Sequence, residues 1–256
     1  IYDPYQWLED DNSPQTQLWT KQQNKLTQEY LAKIEPRENI KEDLTKLWDY
    51  PKYTVPEKCG NYYFFQKNDG LQNQPVLYQL NDLKGEPEVL LNPNTLCADG
   101  TIALAGTSFS RDGSLLAYSL SRHGSDWQEI WIRRTSTKEN YPEVIQWCRF
   151  SKAAWLPTQE GFYYARYPEP NTVPEEDRVN YCRVYLHKVG TDQKEDSLIY
   201  ERSDQKELGF DPFVTEDGKY LLLYVYHGTD PENRMYYRSL EGDGQIIRLL
   251  DEADAR

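Results

Sequence analysis

From residue 52 onward the chain repeats itself about every fifty residues, and that recurrence narrows the available folds more than any other feature. Four segments share a turn, a glycine and an aromatic-rich run. They are Cys59-Gly60-Asn61-Tyr62-Tyr63-Phe64, Asp112-Gly113-Ser114-Leu115-Leu116-Ala117-Tyr118, Glu160-Gly161-Phe162-Tyr163-Tyr164-Ala165 and Asp217-Gly218-Lys219-Tyr220-Leu221-Leu222. Their glycines are 53, 48 and 57 residues apart. A strand is predicted before the turn in at least three units, at residues 108–110, 149–151 and 212–215. A third strand is predicted at 75–78, 129–132, 183–186 and 234–237, and a fourth at 89–91, 144–145, 197–200 and 246–250. Four short strands per unit of this length is the arithmetic of a β-propeller blade. One such sheet cannot bury both faces, whereas radial stacking lets neighbouring blades bury each other. Roughly 200 residues give about four blades, while closed propellers run up to about eight. The segment is therefore either a very small propeller or, as we expect, part of a larger ring whose closing strand lies outside the sequence.

Residues 1–51 have a different period. Ser13 is a plausible N-cap and Pro14 suits the first helical position. Leu18, Trp19, Leu26, Tyr30 and Ile34 then fall near one helical face. A second helix is predicted after Pro36, with Ile40, Leu44, Leu47 and Trp48 on one face. Pro51 disfavours helix at Tyr50 and should end it. The expected organisation is a helical segment over 1–51 and blades over 52–256.

Charge excludes some partners. The chain carries 29 basic and 42 acidic side chains, a net charge of −13, so it lacks the excess of basic groups that phosphate neutralisation requires. No nucleic-acid partner is expected. No apolar run approaches about 18 residues, so no membrane span is expected either. The four cysteines, Cys59, Cys97, Cys148 and Cys182, are widely and irregularly spaced with no C-x-x-C, which speaks against zinc and for free thiols in a reducing compartment. The three histidines lie in no H-E-x-x-H or H-x-H arrangement, and no metal or other cofactor is expected. The first residue is Ile1 and not a methionine, so a leader or start could have been removed and the first residues do not give the compartment.

Catalytic signals are weak. A serine nucleophile on an elbow needs G-x-S-x-G, and no such pentad occurs; the nearest fragment, Gly106-Thr107-Ser108, sits on a predicted strand. His123-Gly124-Ser125-Asp126 and His227-Gly228-Thr229-Asp230 match each other at two blade periods, which points to equivalent turns between second and third strands. The carboxylate runs Glu175-Glu176-Asp177 and Glu9-Asp10-Asp11 read as solvated surface and not as an acid–base pair.

The most specific text is the opening, Asp3-Pro4-Tyr5-Gln6-Trp7-Leu8-Glu9-Asp10, which resembles the D-P-Y-x-W-L-E-D opening of prolyl oligopeptidases. Further words agree in order: Trp48-Asp49-Tyr50-Pro51-Lys52-Tyr53, Gly70-Leu71-Gln72-Asn73-Gln74, Asp99-Gly100-Thr101 with Phe109-Ser110, Gly124-Ser125-Asp126-Trp127 and Gly190-Thr191-Asp192-Gln193. The resemblance spans essentially the whole chain. It implies a mainly β fold, a partial β-propeller of about four blades out of about seven, preceded by the N-terminal helical arm of an α/β-hydrolase domain over 1–51. It implies a serine-type endopeptidase cutting short peptides after proline. The Ser-Asp-His triad would lie in a C-terminal part absent from this sequence, so no catalytic residue is assigned and the chain alone is expected to be inactive. One side chain carries over: Phe150 resembles a family Phe bordering a nonpolar subsite beyond the proline pocket. It is expected on an innermost strand, either facing the channel mouth or buried between blades. The implied partners are short proline-containing peptides and the C-terminal catalytic part of the same chain, with a monomer at full length. A cytoplasmic location is expected, with the periplasm as the alternative. A stand-alone propeller that binds proteins, or a related oligopeptidase of other specificity, are the competing readings.

Overall fold

A computed structural model describes residues 3–242 and 244–255. The chain folds as two compact units, one of residues up to Pro51 with Asp69–Leu71, the other of Lys52–Asn68 and the chain from Gln72 onward.

The first unit holds helices α1 (Pro14–Leu31) and α2 (Arg37–Trp48), after a single 3-10 turn at Gln6–Glu9. Ser13 caps α1 as expected: its Oγ accepts the Thr16 N–H at 3.1 Å, and Pro14 occupies the first turn. Thr16 is the one buried side chain of α1, and its hydroxyl donates to the Trp7 carbonyl at 3.1 Å. The apolar stripes read from the sequence are present and largely exposed. Leu18, Trp19, Leu26, Tyr30 and Ile34, then Ile40, Leu44, Leu47 and Trp48, range from 40% exposed at Ile34 to 71% at Leu47. Helices in proteins draw most of their stability from packing such a stripe, so these faces call for a cover.

The second unit is built from four antiparallel sheets in chain order. Blade 1 holds β1 (Lys52–Tyr53), β2 (Glu57–Cys59), β3 (Tyr62–Asn68), β4 (Val76–Leu80) and β5 (Glu88–Leu91). Blade 2 holds β6 (Ile102–Phe109), β7 (Leu115–Arg122), β8 (Trp127–Arg134) and β9 (Asn140–Arg149). Blade 3 holds β10 (Ala154–Trp155), β11 (Gly161–Arg166), β12 (Arg183–Lys188) and β13 (Ser197–Glu201). Blade 4 holds β14 (Leu208–Val214), β15 (Tyr220–His227), β16 (Asn233–Ser239) and β17 (Ile247–Ala255). In blade 1 the innermost position is shared: β1 and β2 both pair with β3, on either side of Pro56, which has no N–H to give the ladder.

Three cores join the four blades. Phe64, Leu77 and Leu90 of blade 1 meet Leu116, Tyr118 and Leu120 of blade 2. Leu115, Ala117, Ile130, Ile132 and Ile145 of blade 2 meet Trp155, Phe162 and Tyr164 of blade 3. Tyr163, Ala165 and Val184 of blade 3 meet Phe210, Leu221, Leu223, Val225 and Tyr236 of blade 4. Alternate residues of β7, and of β11, thus serve opposite neighbours, as the two-residue period of a strand dictates. The first strands lie against one another at the hub: Trp155 Nε1 donates to the Ser108 carbonyl at 3.0 Å, and Ser108 Oγ donates to the Ala153 carbonyl at 2.6 Å.

The turns before the second strands set how closely the blades approach. Gly60 (φ 56°) and Gly113 (φ 73°) are both left-handed; a Cβ on Gly60 would lie 2.2 Å from the Asp112 carbonyl oxygen, and one on Gly113 2.6 Å from that of Cys59. The third turn departs from the expected pattern. There Gln159 (φ 64°) takes the left-handed position and Gly161 already belongs to β11, where a Cβ would meet the His187 carbonyl oxygen at 2.1 Å.

Candidate functional site

The site grows from the crossover between blades 2 and 3. Strand β9 stays paired with β8 up to Arg149, opposite Trp127. The next residue, Phe150, has φ 52°, a left-handed conformation that a bulky side chain rarely adopts. This corrects the expected strand over 149–151. Arg149 closes the outer strand of blade 2, and the inner strand of blade 3 is the two-residue β10 further on. The chain must turn from the sheet rim to the hub, and Phe150 makes that turn. The ring is 62% exposed, so the alternative of a buried blade-to-blade contact is also excluded.

Arg149 organises the surroundings. Its guanidinium carbon lies 5.5 Å from the Trp127 ring centre, 5.7 Å from that of Phe150 and 5.9 Å from that of Tyr167. Each such contact contributes about 0.5–1 kcal/mol at a partly wet site. Arg149 Nη2 also pairs with Asp126 Oδ2 at 2.8 Å. Asp126 belongs to the first His-Gly-x-Asp segment, which forms the turn between β7 and β8 as expected. The second such segment joins β15 to β16, with His227 Nδ1 2.7 Å from Asp230 Oδ2.

Behind Arg149 the side chains are half-buried. The Tyr167 ring meets Trp127 edge-on, with centres 6.0 Å apart. The Tyr167 hydroxyl is hydrogen-bonded with Tyr226, and burial pushes Tyr226 up to about 12 and Tyr167 higher still, so both phenols stay protonated. Gly209 is required here by proximity, since a Cβ would lie 2.3 Å from the Tyr226 ring. Asp211, on β14, is raised from its ordinary value by burial, with the Lys152 ammonium opposing that shift.

These groups offer an apolar and cationic surface, not a reaction centre. Ser108 gives its hydroxyl proton to a backbone carbonyl within the hub. His187 is fully buried; its Nδ1 lies 2.7 Å from Asp196 Oδ1, and its Nε2 faces Glu143 Oε1 at 3.9 Å and no hydroxyl or thiol partner. His123 is an exposed turn residue and His227 the exposed last residue of β15. Glu175 and Asp177 of the carboxylate run are held in ion pairs by Arg178 and Lys206, each at 2.7 Å. Among the described residues no group of three His, Cys, Asp or Glu side chains is placed to hold a metal ion, and no helix is long and apolar enough to cross a membrane. Sequence reasoning singled out Phe150 but missed Arg149, Trp127 and Tyr167. Two of these stand in words already noted, beside Phe150 and after Asp126; their convergence required the register of β8 against β9.

Comparison with known proteins identifies the lineage. Residues 1–256 match the family described as prolyl oligopeptidase, N-terminal beta-propeller domain. The chain is 38% identical over its whole length to a prolyl endopeptidase of Elizabethkingia meningoseptica, of which it covers 36%. It is 34% identical, over 95% of its length, to a dual function macrocyclase-peptidase of Amanita bisporigera, of which it again covers 36%. Among solved structures, prolyl oligopeptidase B of Galerina marginata bound to a 25mer macrocyclization substrate matches 98% of this chain and 38% of its own, with a TM-score of 0.85 and 30% identity. The chain thus spans a little over a third of the relatives it matches. Four blades in sequence, the opening motif and these matches agree: the chain belongs to the prolyl oligopeptidase N-terminal β-propeller family.

Proposed function

We propose that this chain is the N-terminal portion of a serine-type endopeptidase that cleaves short peptides after proline, with its blades limiting access to a reaction centre carried further along. The observation that carries this reading is the match to prolyl endopeptidases of which the chain covers only 36%. In this reading the C-terminal part supplies the serine that attacks, the histidine that takes its proton and the aspartate that orients the histidine. The present chain supplies selection. Phe150, exposed and faced by the Arg149 guanidinium, borders a nonpolar subsite beside the proline pocket.

The exposed stripes of α1 and α2 support a second part of the proposal. Residues 1–51 are the N-terminal arm of the hydrolase domain, and the C-terminal part of the same chain covers their apolar faces. No cofactor is required. Four free thiols, three of them buried, suit a reducing compartment, and the cytoplasm is the proposed location. At full length the protein is proposed to be a monomer.

The test is hydrolysis of a proline-containing reporter peptide by the full-length protein. Cleavage after proline is expected. Phe150→Ala should raise KM about tenfold, the order lost with one apolar contact in a pocket, with little change in kcat. A well-folded full-length protein that leaves the reporter intact would overturn the reading.

A further inference from the structure

Beside the Phe150 surface lies a pocket of about 490 Å3, within the size range of built ligand sites. Its walls are Trp127 and Trp147 of blade 2 and Pro168, Pro170 and Val173 of the long loop between β11 and β12. Trp147 reaches it through a β-bulge. Gln128 pairs with Cys148 and Ile130 with Ile145, so two residues of β9 oppose one of β8. Trp147 itself has φ 62°. Bulges of this kind re-aim a side chain, and strained backbone collects at working sites.

The bulge is held from both sides. The Gln146 N–H donates to Gln193 Oε1 at 3.0 Å, and the Tyr167 N–H donates to the Trp147 carbonyl at 2.9 Å. The Arg166 guanidinium lies 5.4 Å from the Trp147 ring centre. Of the charged residues that line it, Arg122 pairs with Glu129 at 3.1 Å and Arg178 with Glu175 at 2.7 Å, while the Glu169 carboxylate adds a negative charge that repels an acidic occupant. The apolar walls therefore meet an occupant with no net charge of its own more favourably than a charged one.

The geometry points to a further subsite for the peptide substrate: the pocket takes an apolar, uncharged side chain of the same peptide whose nearer residue meets Phe150. The inference rests on the peptidase reading and deepens it. Continuity carries it, because one guanidinium, that of Arg149, faces both Phe150 and Trp127, at 5.7 and 5.5 Å. An extended peptide advances about 3.3 Å per residue, so it crosses from one ring to the other within about three residues. The occupant is then two or three positions further from the cleaved bond, on the amino side. Peptides too short to reach the pocket bind without it.

The test uses the full-length protein and three reporters: a short peptide ending at the Phe150 subsite, and the same peptide extended by three residues that carry either Leu or Asp at the outermost position. The Leu-extended peptide should exceed the Asp-extended one about tenfold in kcat/KM, chiefly through KM. Trp147→Ala should erase that preference and leave cleavage of the short peptide unchanged. Val173→Asn, on the loop and away from the sheet, removes apolar wall without adding charge and should do the same if the tryptophan variant fails to fold. Equal rates for both extended peptides in the unaltered protein would overturn the inference, as would a preference that survives both substitutions. Loss of self-association in the variants, without change toward peptides, would assign the pocket to a second copy and also overturn it. If no reporter is cleaved, the peptidase reading fails separately, and fluorescence anisotropy of the labelled extended peptides decides the pocket. A Leu-over-Asp preference lost in the variants sustains it, and no preference overturns it.

Discussion

Phe150 holds a backbone conformation that costs an ordinary L-residue about 1–2 kcal/mol, and it holds it with its ring in solvent. The turn from sheet rim to hub accounts for the backbone, and the exposed side chain takes no part in the blade cores. Asp211 is the converse, a charged group kept in a place that penalises charge. Burial raises its carboxyl above the ordinary 3.8, and Lys152 only partly offsets this. A raised acid favours the folded state most when protonated. The carboxylate therefore weakens the fold at neutral pH, and that penalty fades as pH falls through the raised value toward 3.8. Asp211→Asn should accordingly melt at a higher temperature than the unaltered chain at pH 7, with the gap closing below the ordinary carboxylate value. Thermal scans across that range check it, and a gap that stays constant with pH would show that charge is not the cause.

The helices make the clearest case at the level of elements, because their stripes were legible and stand exposed. Leu44→Lys should leave helix content, read by circular dichroism, unchanged in the chain by itself, since Leu44 is already 57% exposed. In the full-length protein the same change should cost about 1.5–3 kcal/mol, the value of burying such a side chain. Equal effects in both would remove the case for a covering domain. The strands were legible for a related reason: unbroken apolar and aromatic runs mark those with a neighbour on each face, as in β7 and β11, so the second and third strands of every blade stand where those runs put them. Of the innermost strands, those expected at 108–110 and 212–215 overlap β6 and β14, and the one at 149–151 does not stand. Arg149-Phe150-Ser151 looks locally like Ser108-Phe109-Ser110, yet Arg149 ends the outer strand β9 with Phe150 beyond it, whereas Phe109 closes the inner strand β6. What separates them is the distance the chain has to cover between rim and hub, which a local pattern does not encode. The broken strand at Pro56 and the shift of the left-handed turn from Gly161 to Gln159 escaped for the same cause. At the candidate site one residue of four was readable, because the others meet through register and not through sequence proximity.

For the molecule as a whole, four blades supply three shared cores, and the two outermost faces have none. On blade 4, Tyr220 and Tyr224 alternate with the buried Leu221, Leu223 and Val225, and Phe213 and Leu249 are 56% and 60% exposed. On blade 1, Tyr53 and Val55 are 62% and 89% exposed. The chain by itself should therefore self-associate as concentration rises, read by light scattering, and Phe213→Lys with Leu249→Lys should shift it back toward monomer. A sharply melting monomer without the substitutions would count against this.

Because each core draws only on adjacent sheets, every tertiary contact it needs is made between stretches that leave the ribosome one after the other. The first core, spanning Cys59 to Leu120, has all its parts before a single residue of the third sheet exists. Assembly can thus proceed as a zipper during synthesis, each new sheet templated on the last, with short loops to close at every stage.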